Sequence, residues 1–203
     1  MKLRGLLKCA IYSSVLALTL ASVGCWNPFD PGGDGDGNRG VGDRKTPDHL
    51  LEFFATAYED KSIERYTECL DDSYSFTFME EDYEKAGVSS DKPYWGSTED
   101  LDQTTTMFID ERTGTILFDF GLAVTNWDTC TDNIWVDDDE GGHWAMVDAL
   151  CCTHEPVIDV TVNTAGEEPK TYQVRSSRIE ITVIEDRFNP QLWRILRIEE
   201  YKK

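Results

Sequence analysis

The sequence predicts an α+β fold in which N-terminal helices pack on a strongly curved antiparallel sheet. Two observations set the class: apolar residues between Leu50 and Leu70 recur at helical spacing, and from Thr115 onward they recur at every second residue. A third sets the curvature. The extended regions carry their own bend signals, Pro156 and a parity change between Val174 and Ile179. Helices first and strands afterwards is the order of an α+β domain.

Thr46-Pro47-Asp48 opens the domain with an N-cap, a proline at the first helical position and an acid for the helix dipole. Leu50, Leu51, Phe53, Phe54, Ala57 and Tyr58 then share one face. Ile63, Tyr66, Cys69 and Leu70 repeat the pattern in a second, shorter helix that Asp71-Asp72 ends. Tyr74, Phe76 and Phe78 alternate with Ser73, Ser75 and Thr77 as an early strand. Residues 80–97 form a polar loop carrying Tyr94 and Trp95. Ser97 with Asp100 approximates a capping box for a third helix through Ile109, which packs by Leu101, Met107 and Phe108.

Ile116, Phe118, Phe120, Leu122 and Val124 mark a long strand with one buried face. Residues 145–162 are extended and interrupted at His154-Glu155-Pro156, where proline requires a bend or an edge. Tyr172 and Val174 have even numbers whereas Ile179, Ile181 and Val183 have odd ones, which predicts a β-bulge near Ser176-Ser177. Residues 192–201 form the last strand. Its Trp193, Ile195, Leu196 and Ile198 leave little of either face polar, as in a central strand.

Before the domain lie two segments of another kind. Lys2, Arg4 and Lys8 precede an apolar run through Leu20, and Ala21-Ser22-Val23-Gly24-Cys25 follows. The run is broken by Tyr12, Ser13, Ser14 and Thr19, and a spanning helix needs roughly 20 mostly apolar residues. Ser22-Val23-Gly24-Cys25 resembles the lipobox of bacterial lipoproteins, with Ser22 standing where that family usually has Leu. The resemblance implies a signal over residues 1–24 and acylation of Cys25 as the mature N-terminus. Two or more acyl chains, at about 0.8 kcal/mol per buried methylene, hold a protein on a bilayer. Ordinary signal cleavage near Ala21 is the competing reading. Trp26 after the cysteine, where inner-membrane retention uses Asp, points to the outer membrane if the host has one. Residues 25–45 are too rich in Gly and Asp to order themselves and read as a flexible tether, leaving 46–203 as the domain.

Two motifs in the tether fail their context. Gly35-Asp36-Gly37-Asn38-Arg39-Gly40 has the letters of a dinucleotide-binding loop without the preceding strand. Asp34, Asp36 and Asn38 begin a calcium-loop spacing, but Arg39 and Lys45 occupy the positions that require Gly and Glu.

A formal net charge of -20 makes nucleic acid and anionic headgroups poor partners, so membrane attachment falls to the acyl chains. Cys69, Cys130, Cys151 and Cys152 contain no C-x-x-C pair. If Cys130 and Cys151 lie on strands flanking the acidic turn at residues 137–142, hairpin register brings them together as a disulfide; the alternative is four small buried hydrophobes. The spacing of His143, His154 and Cys152 fits no metal template, so neither a metal nor a cofactor is expected.

The run Phe53-Phe54-Ala55-Thr56-Ala57-Tyr58-Glu59-Asp60-Lys61, leading into Tyr66 through Phe76 with its Asp71-Asp72 step, is similar to the opening of nuclear-transport-factor-like domains. That cystatin-like family includes ketosteroid isomerases and polyketide cyclases. The resemblance implies a curved sheet wrapped around helices, leaving a conical pocket. In the isomerase branch a tyrosine donor and a basic aspartate act on substrate; here those positions hold Phe53 and Thr77, which can do neither job. Tyr58, Tyr66 and Tyr74 could supply a donor after a shift, or be core tyrosines with satisfied hydroxyls.

These readings point to a membrane-tethered, non-catalytic module of the envelope that binds a small apolar ligand or another envelope protein. Tyr58, Trp95, Phe108 and Trp193 are its candidate pocket lining, with ordinary core packing as the alternative for each. A small isomerase- or cyclase-like enzyme is the rival, favoured if two ionisable side chains converge in the cone. A filled cone favours a third reading, binding through the outer face of the sheet.

Overall fold

The computed structural model describes residues 43–120, 126–131, 134–137, 144–175 and 178–202. Helix α1 (Pro47–Glu59) starts where the sequence sets it, with the Thr46 hydroxyl accepting from the backbone N–H of His49. Helix α2 (Ile63–Cys69) follows, capped by Ser62. Strand β1 (Leu70–Thr77) begins at once, so Asp71 and Asp72 belong to the strand and not to the helix end. The expected polar loop contains a 3₁₀ turn (Glu80–Asp82), the short α3 (Tyr83–Ala86) and β2 (Tyr94–Gly96). Helix α4 (Ser97–Ile109) completes the helical part.

The strands that follow are β3 (Thr113–Asp119), β4 (Asp128–Thr129), β5 (Ile134–Asp137), β6 (Trp144–Val147), β7 (Ala149–His154), β8 (Val157–Val162), β9 (Lys170–Arg175), β10 (Arg178–Glu185) and β11 (Trp193–Tyr201). Six make one sheet in the order β2-β1-β11-β10-β7-β4, β3-β8-β9 make a second, and β5-β6 form a hairpin. Pairing is antiparallel throughout except between β1 and β11, which run parallel. The sheet is therefore mixed but antiparallel-rich, and it fits the expected α+β class of helices packed on a curved sheet. As expected for a central strand, β11 has a neighbour on each side.

Bends fall where the sequence asks for them. At Pro156 the chain leaves the six-stranded sheet with β7 and enters the three-stranded one with β8. Ser176 and Ser177 lie outside the described residues, but β9 and β10 on either side belong to different sheets, which accounts for the parity change. The described irregularity lies later, in the pairing of β10 with β11: Thr182 pairs with Arg197 and Val183 with Ile195, so Leu196 of β11 is the extra residue. That residue turns Leu196 away from its neighbours Ile195 and Ile198.

Two cores result, one on each face of the sheet. Leu50, Phe54, Ala57, Tyr66, Phe108, Ile181, Val183 and Ile195 join on the helix side. On the outer side Ile134 and Val136 of the β5-β6 hairpin bury against Ala149, Ile184 and Leu196.

Docked contacts begin earlier than Thr46. Arg44 is buried, donates to the Glu68 carbonyl, lies 5.6 Å from the centre of the Phe53 ring and accepts through its own carbonyl from Trp193 N. Among the described residues no helix is long and apolar enough to cross a membrane.

Candidate functional sites

Inside the cone, α4 presents Asp100, Thr104 and Phe108 along one buried stripe at a spacing of four. Asp100 does not cap the helix, contrary to the expected Ser97–Asp100 box. Glu99 reaches back to Gly96 N at 3.1 Å instead, which leaves Asp100 free to face inward. There Tyr66 Oη donates to Asp100 Oδ2 at 2.5 Å. Burial pushes the Asp100 carboxyl up to about 6, against the opposing effect of the Tyr66 hydrogen bond. Burial, then the charge of Asp100, raises Tyr58, Tyr66 and Tyr74 well above the ordinary phenol range.

Two ionisable groups therefore do converge in the cone, but aromatic side chains enclose them. The ring of Tyr58 lies 5.3 Å from Tyr66 and 5.5 Å from Phe108, and Phe54 lies 5.3 Å from Tyr66 and 5.6 Å from Phe118. Tyr66 is 1 % exposed and Asp100 6 %, so the pair that could move a proton is closed to solvent. Such a network specifies core packing as readily as it could do chemistry.

Of the four candidate lining residues, the structure brings Tyr58 and Phe108 into contact, packs Trp193 against the same core and leaves Trp95 elsewhere. Trp95 packs edge-on against Phe78 at 4.7 Å and donates to the Ala86 carbonyl. Trp193 is half-buried at the start of β11, beside Arg44. Tyr58, Phe108 and Trp193 belong to the helix-side core, whereas Trp95 lies on the edge strand β2. Cys25 and His143 lie outside the described residues. His154 is 4 % exposed beside the Phe120 ring, and among the described residues neither ring nitrogen has a hydrogen-bond partner. Among the described residues no group of three His, Cys, Asp or Glu could hold a metal.

The other candidate is on the opposite face. Cys130 and Cys151 are joined as a disulfide, their Cα atoms 5.2 Å apart. The register explains it: Asp128 and Thr129 of β4 pair with Cys151 and Leu150 of β7, and Cys130 N donates to the Ala149 carbonyl at 3.0 Å. Beside this bridge opens a cleft of about 520 Å³. In β10, Ile179 and Ile181 face the helices, so Glu180 and Thr182 face away and line the cleft. From β11 come Arg197, Glu199 and Tyr201; from β4, Asp128 and Thr129.

Charge in the cleft is uneven. Arg197 Nη1 lies 3.5 Å from Glu199, to which Tyr201 Oη also donates at 3.3 Å. Burial, then the carboxylates of Glu199 and Glu180, pushes the Tyr201 phenol up to about 12. The Thr182 hydroxyl, in a residue 2 % exposed, has the Cys151 sulfur at 3.5 Å.

Sequence reasoning missed the cleft and the inward Asp100. A signal for Asp100 exists in the Asp100, Thr104, Phe108 spacing; none exists for the cleft, whose walls come from five strands distant in sequence.

No protein-family model matches the sequence, and no curated protein matches it. Solved structures that resemble it include a nuclear transport factor 2 (NTF2-like) superfamily protein from Salmonella enterica, at TM-score 0.46 and 9% identity over 75% of this chain and 85% of that one. An uncharacterized protein with a cystatin-like fold from Caulobacter vibrioides gives 0.40 and 13%, covering 75% and 83%. An NTF2-like protein of unknown function from Pseudomonas putida gives 0.41 and 10%, covering 75% and 80%. By its own element order and packing, this chain is an α+β protein with helices on one face of a curved, antiparallel-rich sheet.

Proposed function

We propose that this protein is a non-catalytic binding module of the cell envelope, tethered through lipid on Cys25, and that it works through the cleft on the outer face of its sheet. The observation that carries the choice of face is the contrast between the two sides. Aromatic rings enclose the Tyr66–Asp100 pair, whereas the outer face holds an open cleft of about 520 Å³, within the size range of small-molecule sites. A disulfide suits an oxidising compartment, in keeping with the export signal. The small isomerase- or cyclase-like enzyme is the second reading, favoured by the hydrogen bond between two groups whose acidities burial shifts.

Native mass spectrometry of the full chain extracted from membranes tests this. The expected species starts at Cys25, carries acyl mass and retains a bound compound that Asp128→Trp, at an exposed lining position opposite Cys151, displaces. A chain starting elsewhere without acyl mass overturns the tethering. Displacement by Asp100→Asn with retention in Asp128→Trp moves the site to the cone and supports the enzyme.

A further inference from the structure

The disulfide lies where a reagent can reach it. Cys130 and Cys151 are both half-buried, and both line the open outer cleft. Cys69 and Cys152 are free thiols buried in the helix-side core, so neither competes for a partner. Register sets Thr182 of β10 directly beside Cys151, with Arg197 of β11 beside Thr182 in turn. A disulfide sulfur carries no hydrogen, so the Thr182 hydroxyl is the donor in its 3.5 Å contact with Cys151 Sγ. That donor faces the sulfur on which negative charge collects when Cys151 leaves the bridge.

A second observation concerns what the bridge fastens. It closes the loop that carries β5 and β6, and among the described residues those two strands pair only with each other. At one end β6 runs through Asp148 directly into β7. At the other end the chain is fastened to β7 by the bridge, by the hydrogen bond from Cys130 N to the Ala149 carbonyl and by the two-residue ladder of β4. Between those ends the hairpin is held by apolar contact, Ile134 and Val136 packed over Ala149, Ile184 and Leu196. Ile134 also lines the cleft, so the hairpin is one of its walls.

We propose that the Cys130–Cys151 bridge is a redox-active fastening: a small dithiol entering the cleft reduces it, and the β5-β6 hairpin then separates from the sheet, extending the cleft over Ala149, Ile184 and Leu196. A thiolate of the dithiol attacks Cys130 Sγ, and the Cys130–Cys151 bond breaks as the mixed disulfide forms. Cys151 leaves as a thiolate that accepts from the Thr182 hydroxyl, and it then takes up a proton. The second thiol of the reagent attacks the mixed disulfide, frees Cys130 and departs within a cyclic disulfide, so two electrons and two protons have passed to the protein. Asp128, directly opposite Cys151, opposes the leaving charge, but it is exposed and screened by solvent. The step needs a cleft open to a thiol, whatever else binds there.

Reduction of the purified full chain in detergent by dithiothreitol, without denaturant, tests this, with thiols trapped by iodoacetamide and amide exchange followed by mass spectrometry. Both thiols are expected to appear while β1, β10 and β11 keep their protection, and exchange in β5 and β6 is expected to rise at least tenfold. Thr182→Val is expected to slow reduction at least threefold relative to Thr161→Val, which removes an exposed hydroxyl from the other sheet. Equal rates in the two variants overturn Cys151 as the leaving sulfur. A bridge that opens only at the rate of global unfolding overturns the proposal, as does reduction that leaves exchange in β5 and β6 unchanged. Protection lost throughout the sheet overturns it too, because the bridge would then hold the whole fold and not the hairpin.

Discussion

Tyr66 donates its phenolic hydrogen to Asp100 across 2.5 Å, joining α2 to α4 at a point water does not reach. A carboxyl held at about 6 in the fold, against 3.8 when free, binds its proton more tightly folded than unfolded. Its stabilising contribution is thus full below pH 4 and is lost as pH rises through 6, an effect of about 3 kcal/mol at 1.36 kcal/mol per pKa unit. Denaturant unfolding from pH 4 to 8 is expected to show that loss in the wild type and not in Asp100→Asn. Parallel curves would contradict the assignment.

His154 gives the opposite slope. Burial lowers its imidazole below the usual histidine range, so the unfolded chain takes up the proton first and stability falls as pH drops below 6.5. With both ring nitrogens unpaired among the described residues, His154→Leu removes a buried polar group at no loss of a hydrogen bond there. The variant is expected to melt above the wild type, by more at pH 5 than at pH 8. A gain that is equal at both values would mean that the proton plays no part.

Asp186 is held by Arg194 Nε at 2.7 Å and by the backbone N–H of Phe188 at 2.9 Å, while Arg194 Nη1 donates to the Leu70 carbonyl at 3.1 Å. Burial raises the Asp186 carboxyl, yet these donors hold it below the usual carboxylate range. Arg194→Ala strands a nearly buried charge and unties the β10-β11 turn from β1. The expected loss is about 3–5 kcal/mol in urea unfolding. A change under 1 kcal/mol would show the charge to be solvated.

The Cys130–Cys151 bridge closes a loop with a sequence separation of 21. By loop-closure entropy, Cys130→Ser with Cys151→Ser is expected to cost about 3 kcal/mol of unfolding free energy. Peptide mapping without reductant should recover the two cysteines in one linked fragment. Free thiols at both would contradict the register of β4 on β7.

Local signals made much of this legible. Thr46-Pro47 fixed the start of α1 because a cap is decided within four residues, and Pro156 marked the change of sheet because its missing N–H cannot be masked by distant context. The Cys130–Cys151 pairing followed from hairpin register, also a near-neighbour matter. Asp100 was misread because Ser97-x-x-Asp100 fits a cap pattern locally, whereas Glu99 took the role and the core took Asp100. The parallel pairing of β1 with β11 joins residues more than a hundred positions apart, and nothing in either segment encodes it. The opposed Glu180 and Glu199 depend on register between β10 and β11, including the extra residue at Leu196. The cleft built on that register was therefore invisible in the sequence.

Which face of the sheet does the work is decided most directly by amide chemical-shift mapping of the full chain as the compound it retains from the envelope is titrated back. The account predicts shifts concentrated at Thr153, Glu180, Thr182 and Glu199. Shifts concentrated at Tyr66, Asp100 and Thr104, with the outer strands unmoved, would contradict it.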